Sequence, residues 1–165
     1  MKIIDLLLRE LDQEIITTRK MLSIVPVDKF DWAPHEKSMK MKDLTIHIAD
    51  LPSWITLGLT TTELDFATAP YNPPIAKTNE DLLSTLEKNY SEAKERLASA
   101  TEEQLGERWL LRTGDTILAD LNKYGIIRTS ISQVIHHRAQ LGVYLRLLNI
   151  PIPGSYGPSA DDQNF

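Results

Sequence analysis

Apolar side chains recur every three or four residues along four stretches of the chain, a period that is typical of amphipathic helices. In the first stretch, residues 3–24, Leu7, Leu11 and Ile15 would lie on the face that meets a core. The other stretches run from about residue 38 to 57, from 78 to 97 and from about 123 to 148. Four long helices of this kind predict an all-α protein built as a four-helix bundle.

Prolines and turn-forming residues predict where these helices begin and end. Pro26 would end the first helix, Pro52 would kink the second, and Gly58 is the predicted stop. Residues 65–78 contain three prolines and predict a long crossover between the second and third helices. A Thr-Gly-Asp turn at residues 113–115, with apolar residues on both sides, predicts a small hairpin before the last helix.

Length and composition favour one soluble domain. A chain of 165 residues can bury one substantial core, so a single domain is expected over residues 1–165, with residues 151–165 as an irregular carboxyl-terminal tail. The net charge of −5 provides no general attraction to nucleic acid phosphates. No apolar run is long enough to cross a membrane, and the amino terminus has no signal-peptide pattern, so a cytoplasmic location is expected.

Candidate chemistry depends on histidine and its polar neighbours, because the chain has no cysteine. Polar residues follow the last helix in steps of three and four: Ser130, Gln133, His137, Gln140 and Tyr144. Such a stripe either faces solvent or lines an internal polar pocket. If the stripe lines a pocket, His47 is the residue expected to face it from the second helix, where it lies among apolar residues. It could equally be a core histidine whose hydrogen bonds a neighbour satisfies.

Several segments resemble the DinB/YfiT-like family. The sequence Met-Lys-Asp-Leu-Thr-Ile-His-Ile-Ala-Asp-Leu-Pro-Ser-Trp at residues 41–54 is similar to the family's second helix, and residues 32–38 resemble its first interhelical loop. Residues 136–146, which read His-His-Arg-Ala-Gln-Leu-Gly-Val-Tyr-Leu-Arg, resemble its last helix, and residues 156–161, Tyr-Gly-Pro-Ser-Ala-Asp, resemble its tail. The resemblance implies a four-helix bundle, often a homodimer, that binds a divalent metal ion such as nickel, zinc or manganese through three histidines.

The sequence departs from the family's pattern at one of those three ligands. His47 matches the histidine of the second helix and His137 matches the last, but Gln133 occupies the position where the family has histidine. A neutral amide oxygen is a poorer ligand than imidazole for nickel or zinc. Gln133 could be a weak third ligand, water and a carboxylate such as Asp50 could complete the shell, or the site could be empty with Gln133 bonded to His137. The sequence favours an empty or weakly occupied site.

For the other histidine of the last helix, two arginines and two tryptophans, the sequence predicts structural roles and no part in a site. His136 is expected on another side of the helix from His137, at the surface or on a dimer face. Arg138 and Arg146 are expected to cap the bundle or to pair with acids, and the two tryptophans, Trp32 and Trp54, are expected in the core.

Two functions follow from the resemblance. In the first, the protein is a metal-dependent thiol transferase or a hydrolase, in which Gln140, Tyr144 and Asp50 bind and orient the substrate. In the second, the same pocket holds no metal, and the protein is a non-catalytic dimeric module that binds a small molecule or serves in a stress response. The substitution at Gln133 favours the second function.

Overall fold

The computed structural model describes residues 2–163, and this part of the chain is mostly helical. Its six α-helices are α1 (Ile3–Ser23), α2 (Met41–Asp50), α3 (Ser53–Thr60), α4 (Asn79–Ser99), α5 (Glu102–Leu105) and α6 (Lys123–Leu147). Its three strands are β1 (Glu63–Asp65), β2 (Arg108–Thr113) and β3 (Thr116–Asn122), and a 3-10 turn covers Val27–Lys29. The long helices occur where the apolar period predicts them, and the mostly helical character is confirmed, but the all-α prediction is incomplete because a small three-stranded sheet is also present.

Side-chain caps fix the starts of the two helices that follow the crossover and the hairpin. Thr78 accepts a hydrogen bond from the Asp81 amide at 3.2 Å, and Asp81 accepts one from the Thr78 amide at 3.0 Å. This reciprocal pair is a capping box, and it confirms the helix start predicted at Thr78. Asn122 caps α6 in a similar way by accepting a 2.8 Å bond from the Gly125 amide.

Pro52 divides the predicted second helix into α2 and α3. A proline has no amide hydrogen and its ring clashes with the preceding turn, so the helical hydrogen-bond pattern is interrupted there. The interruption is short, because backbone hydrogen bonds form on both sides of Pro52. The Leu51 amide donates to the His47 carbonyl at 3.0 Å, and the Trp54 amide donates to the Leu51 carbonyl at 3.1 Å. The sequence predicted one kinked helix, whereas the structure has two helices in that stretch.

Gly58 does not end the second helical stretch, which continues to Thr60. Its role is close packing, because a Cβ atom at this position would lie 2.5 Å from Cγ2 of Ile126 on α6. Glycine therefore permits an approach of α3 to α6 that any larger residue would obstruct.

The sheet is three-stranded, with the order β1-β2-β3. Strands β2 and β3 form the predicted hairpin, and Gly114 in its turn has a φ of +56°, which glycine adopts without strain. Strand β1 pairs parallel with β2 and was not predicted. Its three residues are too few to show an alternating pattern, and it is held by contacts distant in sequence, such as the bond from the Gly114 amide to Asp65 Oδ1 at 2.9 Å.

The helices pack in a way that holds α2 between two long neighbours. Helix α1 packs against α4 and α6, and both α2 and α3 pack against the same two helices. Leu44 and Ile48 of α2 belong to one buried apolar cluster, and Ile55 and Leu59 of α3 belong to a second. None of the helices within residues 2–163 combines the length and apolar character needed to cross a bilayer.

The carboxyl-terminal tail is irregular, as predicted, but it is bonded to the helices. Tyr156 donates a 2.7 Å hydrogen bond to Glu14 on α1 and accepts one of 2.9 Å from Arg138 on α6. Arg146 pairs with Asp161 of the tail. The prediction that Arg138 and Arg146 pair with acids is therefore confirmed, while residues 164 and 165 of the predicted tail lie outside the described part.

Candidate functional site

The two histidines that the sequence singled out meet between α2 and α6. The ring centroids of His47 and His137 are 4.7 Å apart, and the ring planes are inclined at 80°. Both side chains are half-buried. The helical packing of α2 on α6 thus brings together two imidazoles that are 90 positions apart in the chain.

Gln140 holds His137 and connects it to His136. The Oε1 atom of Gln140 lies 3.0 Å from Nδ1 of His137, and its Nε2 atom lies 2.9 Å from Nε2 of His136. With the amide in this orientation, His137 carries its hydrogen on Nδ1 and leaves the Nε2 lone pair free to accept a proton or bind an ion. Gln140 reaches both rings because it lies three residues after one and four after the other.

His136 is closer to the site than its position on the helix predicted. It is exposed, as expected, but its ring centroid lies 4.9 Å from that of His137 at an angle of 75°. The directions of neighbouring Cα–Cβ bonds on a helix diverge, yet the side chains are long enough for the rings to touch, and the Gln140 amide stabilises that contact.

Burial keeps both imidazoles uncharged near neutral pH. Desolvation is the main cause that lowers the pKa of His47; the nearby His137 lowers it further, and Asp50 opposes the shift. Desolvation also lowers the pKa of His137, against a smaller opposing effect of the bond with Gln140. Two neutral rings can accept or donate hydrogen bonds without repelling each other.

Metal-free protein should lose stability as the pH falls below about 6.5, the ordinary imidazole pKa. Because the pKa of His47 is lower in the folded protein than in the unfolded chain, the unfolded chain binds more protons in this range, and the free energy of unfolding decreases with falling pH. The variant His47→Gln should show a shallower slope than wild type below pH 6.5 and the same slope above pH 7.5. Urea unfolding in chelator-containing buffers from pH 5 to 8 measures both; equal slopes below pH 6.5 would contradict the prediction.

Gln133 makes no hydrogen bond to His137 within residues 2–163. It is half-buried and lines a shallow groove with Thr129, Ser132 and His136, and His137 is bonded to Gln140 instead. Within residues 2–163, no three side chains of His, Cys, Asp or Glu are arranged to hold one metal ion. Two converging imidazoles therefore do not fit the three-histidine centre that the resemblance implies.

Asp50 lies one turn after His47 on α2 and is held by neutral donors. Tyr71 donates to its Oδ2 at 3.0 Å, while Asn89 and Ser53 donate to its Oδ1 at 3.3 and 3.4 Å. Asp50 also lines an open cleft of about 410 Å³ between α3, α4 and the crossover. The sequence placed Asp50 in the site, but it gave no indication of Tyr71, which lies in a proline-rich loop without periodicity.

Tyr144 lies apart from this arrangement. It is 7% exposed, its hydroxyl donates to the Met39 carbonyl at 3.1 Å, and its ring meets that of Trp32 edge-on at 5.6 Å. The structure thus places Tyr144 in the core, where it anchors the loop before α2. Trp32 packs against the core as predicted, whereas Trp54 lines the cleft beside Asp50.

The comparison with protein families identifies the chain. The model of the DinB family matches residues 1–164. The chain belongs to the DinB family. The resemblance drawn from residues 41–54 and 136–146 is therefore confirmed over residues 1–164.

Solved structures share the DinB fold. A DinB-like protein from Bacillus subtilis superposes with a TM-score of 0.70 at 17% identity, covering 91% of this chain and 96% of its own. A DinB-like protein from Bacillus cereus gives a TM-score of 0.68 at 19% identity, with coverage of 90% and 94%. No curated protein matches the sequence. At these identities the likeness shows the fold alone, so function must be argued from the site of this DinB protein.

Proposed function

We propose that this protein is a non-catalytic binding module that takes up a small polar molecule beside the His47–His137 pair. One observation carries the proposal: two half-buried imidazoles converge there, and no third ligand of the kinds that hold a metal tightly joins them within the described residues. The pair is then a hydrogen-bonding surface, and a divalent ion such as nickel, zinc or manganese binds it only weakly.

The hydrogen-bonding capacity of the site supports this role. Gln140 fixes the His137 tautomer, so His137 presents a lone pair in a defined position. Asp50, one turn from His47, presents a carboxylate that neutral side chains hold in place. Polar groups that neighbours orient in advance lose little entropy when a ligand binds, and this favours binding.

Metal affinity is the measurement that tests the proposal. Calorimetric titration of chelator-stripped protein with Ni²⁺, Zn²⁺ or Mn²⁺ should give dissociation constants above 1 μM. His137→Ala should abolish whatever binding is measured. Submicromolar affinity that disappears in His137→Ala would overturn the proposal and establish a metal centre.

Gln133→His should create a tight metal site. A structural zinc site with four ligands is worth about 10–16 kcal/mol, so one imidazole contributes about 3 kcal/mol, or ~100-fold in affinity. Histidines at positions 133 and 137 would be four residues apart on one face of α6. The control is Gln13→His at an exposed position of α1, which adds a histidine elsewhere and should leave affinity unchanged. An unchanged affinity in Gln133→His would show that position 133 does not face the pair.

The second candidate function is a metal-dependent thiol transferase or hydrolase. It is favoured by the bond between Gln140 and His137 Nδ1, because ligating histidines usually bond through the second ring nitrogen in this way. The wild-type titration decides between the two functions.

The proposal also includes a four-helix-bundle architecture and a homodimer. In the four-helix bundle, α2 and α3 together occupy the place of the second helix. The homodimer that the resemblance implies stays a prediction, and Ile16 of α1 with Val143 and Leu147 of α6 supplies exposed apolar surface for it.

A further inference from the structure

We propose that the cleft beside Asp50 binds an organic cation, an amine carried on an apolar body. This inference goes beyond the proposed binding function, because the cleft is a separate site that neither His47 nor His137 lines. The cleft is formed by α3, α4 and the loop that follows β1, and its volume of about 410 Å³ lies within the usual range for small-molecule sites, about 300–1,000 Å³.

Three aromatic side chains line the cleft. Trp54 comes from α3, while Phe66 and Tyr71 come from the loop after β1. Aromatic faces attract cations because the ring quadrupole is negative above and below the plane, and tryptophan is the strongest of them. Leu57 and Leu64 complete an apolar wall against which the body of a ligand could pack.

The charge of the cleft is negative and unbalanced. Asp50 and Glu92 both line it, and no lysine, arginine or histidine does. Within residues 2–163, neither carboxylate has a lysine or arginine as an ion-pair partner. A cationic ligand would supply the missing countercharge, and an anion would be repelled.

Asp50 is fixed for this role. Tyr71, Asn89 and Ser53 all donate hydrogen bonds to its carboxylate, and all three are neutral. They orient the group but leave its full negative charge in place. The remaining acceptor capacity of the two oxygens is available to an ammonium group, and such a charge-assisted hydrogen bond is stronger than a neutral one.

A metal ion fits the cleft less well than an organic cation. No three His, Cys, Asp or Glu side chains in the described part are arranged to hold an ion. The lining is instead aromatic and aliphatic around two carboxylates. That combination suits a cation with a hydrocarbon body.

Three probes of matched size test the charge requirement. 2-Phenylethylamine is cationic at pH 7, 2-phenylethanol is its neutral counterpart, and phenylacetate is anionic. We expect the amine to bind at least tenfold more tightly than the alcohol, and phenylacetate to show no binding. Titrations followed by ¹H–¹⁵N NMR locate the site, since the indole N–H signal of Trp54 should move with the amine.

Variants assign the effect to the carboxylates. Asp50→Asn should weaken amine binding at least tenfold, and Glu92→Gln, at an exposed position that leaves folding unaffected, should weaken it severalfold. Asp28→Asn, which removes an exposed carboxylate outside the cleft, should leave binding unchanged. If Asp50→Asn fails to fold, Glu92→Gln and the probe series still test the proposal.

The outcomes separate this inference from the proposed function. Equal binding of amine and alcohol, tighter binding of phenylacetate, or amine-induced shifts that do not include Trp54 would overturn the organic-cation assignment. None of these results would contradict the proposed binding function, because that function concerns the His47–His137 pair and is tested separately by the metal titration. Absence of binding by all three probes would also overturn the assignment.

Discussion

Arg138→Met should lower the free energy of unfolding by about 3–5 kcal/mol, because it leaves the Glu14 carboxylate buried without its partner. The Arg138 and Glu14 side chains are only 4% and 8% exposed, and their closest N–O distance is 2.6 Å. Arg138 also donates to the Glu14 carbonyl at 2.9 Å and to Thr18 Oγ1 at 3.2 Å. Methionine keeps the apolar volume of the stem, so the loss reports charge and hydrogen bonding. Urea unfolding at pH 7 measures it.

Two further variants control this experiment. Glu14→Met combined with Arg138→Met removes both charges and should recover a large part of the loss, since no buried charge is left unpaired. Arg146→Met breaks the exposed pair with Asp161 on the same helix and should have little effect, because solvent screens that pair. If Arg138→Met proved as mild as Arg146→Met, water would have to solvate Glu14 in the folded protein.

The buried pair also fixes the tail. Burial, reinforced by the bond to Glu14, raises the pKa of Tyr156 to about 12, so its hydroxyl remains a donor across the ordinary pH range. Tyr156 is the point at which the irregular tail joins α1 and α6. Loss of Arg138 should therefore loosen the tail as well as the core.

The sequence predicted what depends on local pattern. The spacing of Leu7, Leu11 and Ile15 is sufficient to predict α1, and the capping residue Thr78 is sufficient to predict where α4 begins. The same reasoning could have predicted the contact of Gln140 with both histidines, because Gln140 lies three residues after His137 and four after His136. His136 is exposed as predicted, but the contact of its ring with His137 was missed because the prediction considered backbone directions without side-chain length.

What the sequence could not provide depends on contacts distant along the chain. The pairing of Glu14 with Arg138 joins residues 124 positions apart, and the bond from Tyr71 to Asp50 joins a loop to a helix. No periodicity connects such positions. The residue pattern left the meeting of His47 and His137 as one of two alternatives, and the family resemblance favoured it by implying one pocket for both. The cleft with Glu92 was missed for lack of any comparable signal.

Trp109→Ala should destabilise the protein by about 3–5 kcal/mol, as expected for an aromatic side chain removed from a core. Trp109 lies on β2 and is 0% exposed. Its indole Nε1 donates to Thr61 Oγ1 at 3.0 Å, which joins the sheet to the residue after α3. Alanine would leave a cavity and remove the donor to Thr61 Oγ1, which would keep only its own bond to the Leu57 carbonyl.

The hairpin itself provides the matched control for Trp109. Ile117→Ala, on the adjacent strand β3 where the side chain is 54% exposed, should change stability by no more than about 0.5 kcal/mol. Trp109→Phe fills most of the volume but cannot donate to Thr61, so it should cost about 1–3 kcal/mol. Denaturant midpoints that fall in the order wild type, Ile117→Ala, Trp109→Phe, Trp109→Ala would show that packing of the Trp109 side chain couples the sheet to the helical core. A Trp109→Ala midpoint equal to that of Ile117→Ala would instead mean that the sheet unfolds independently of the helices, because the unfolding transition would not then respond to packing at their junction.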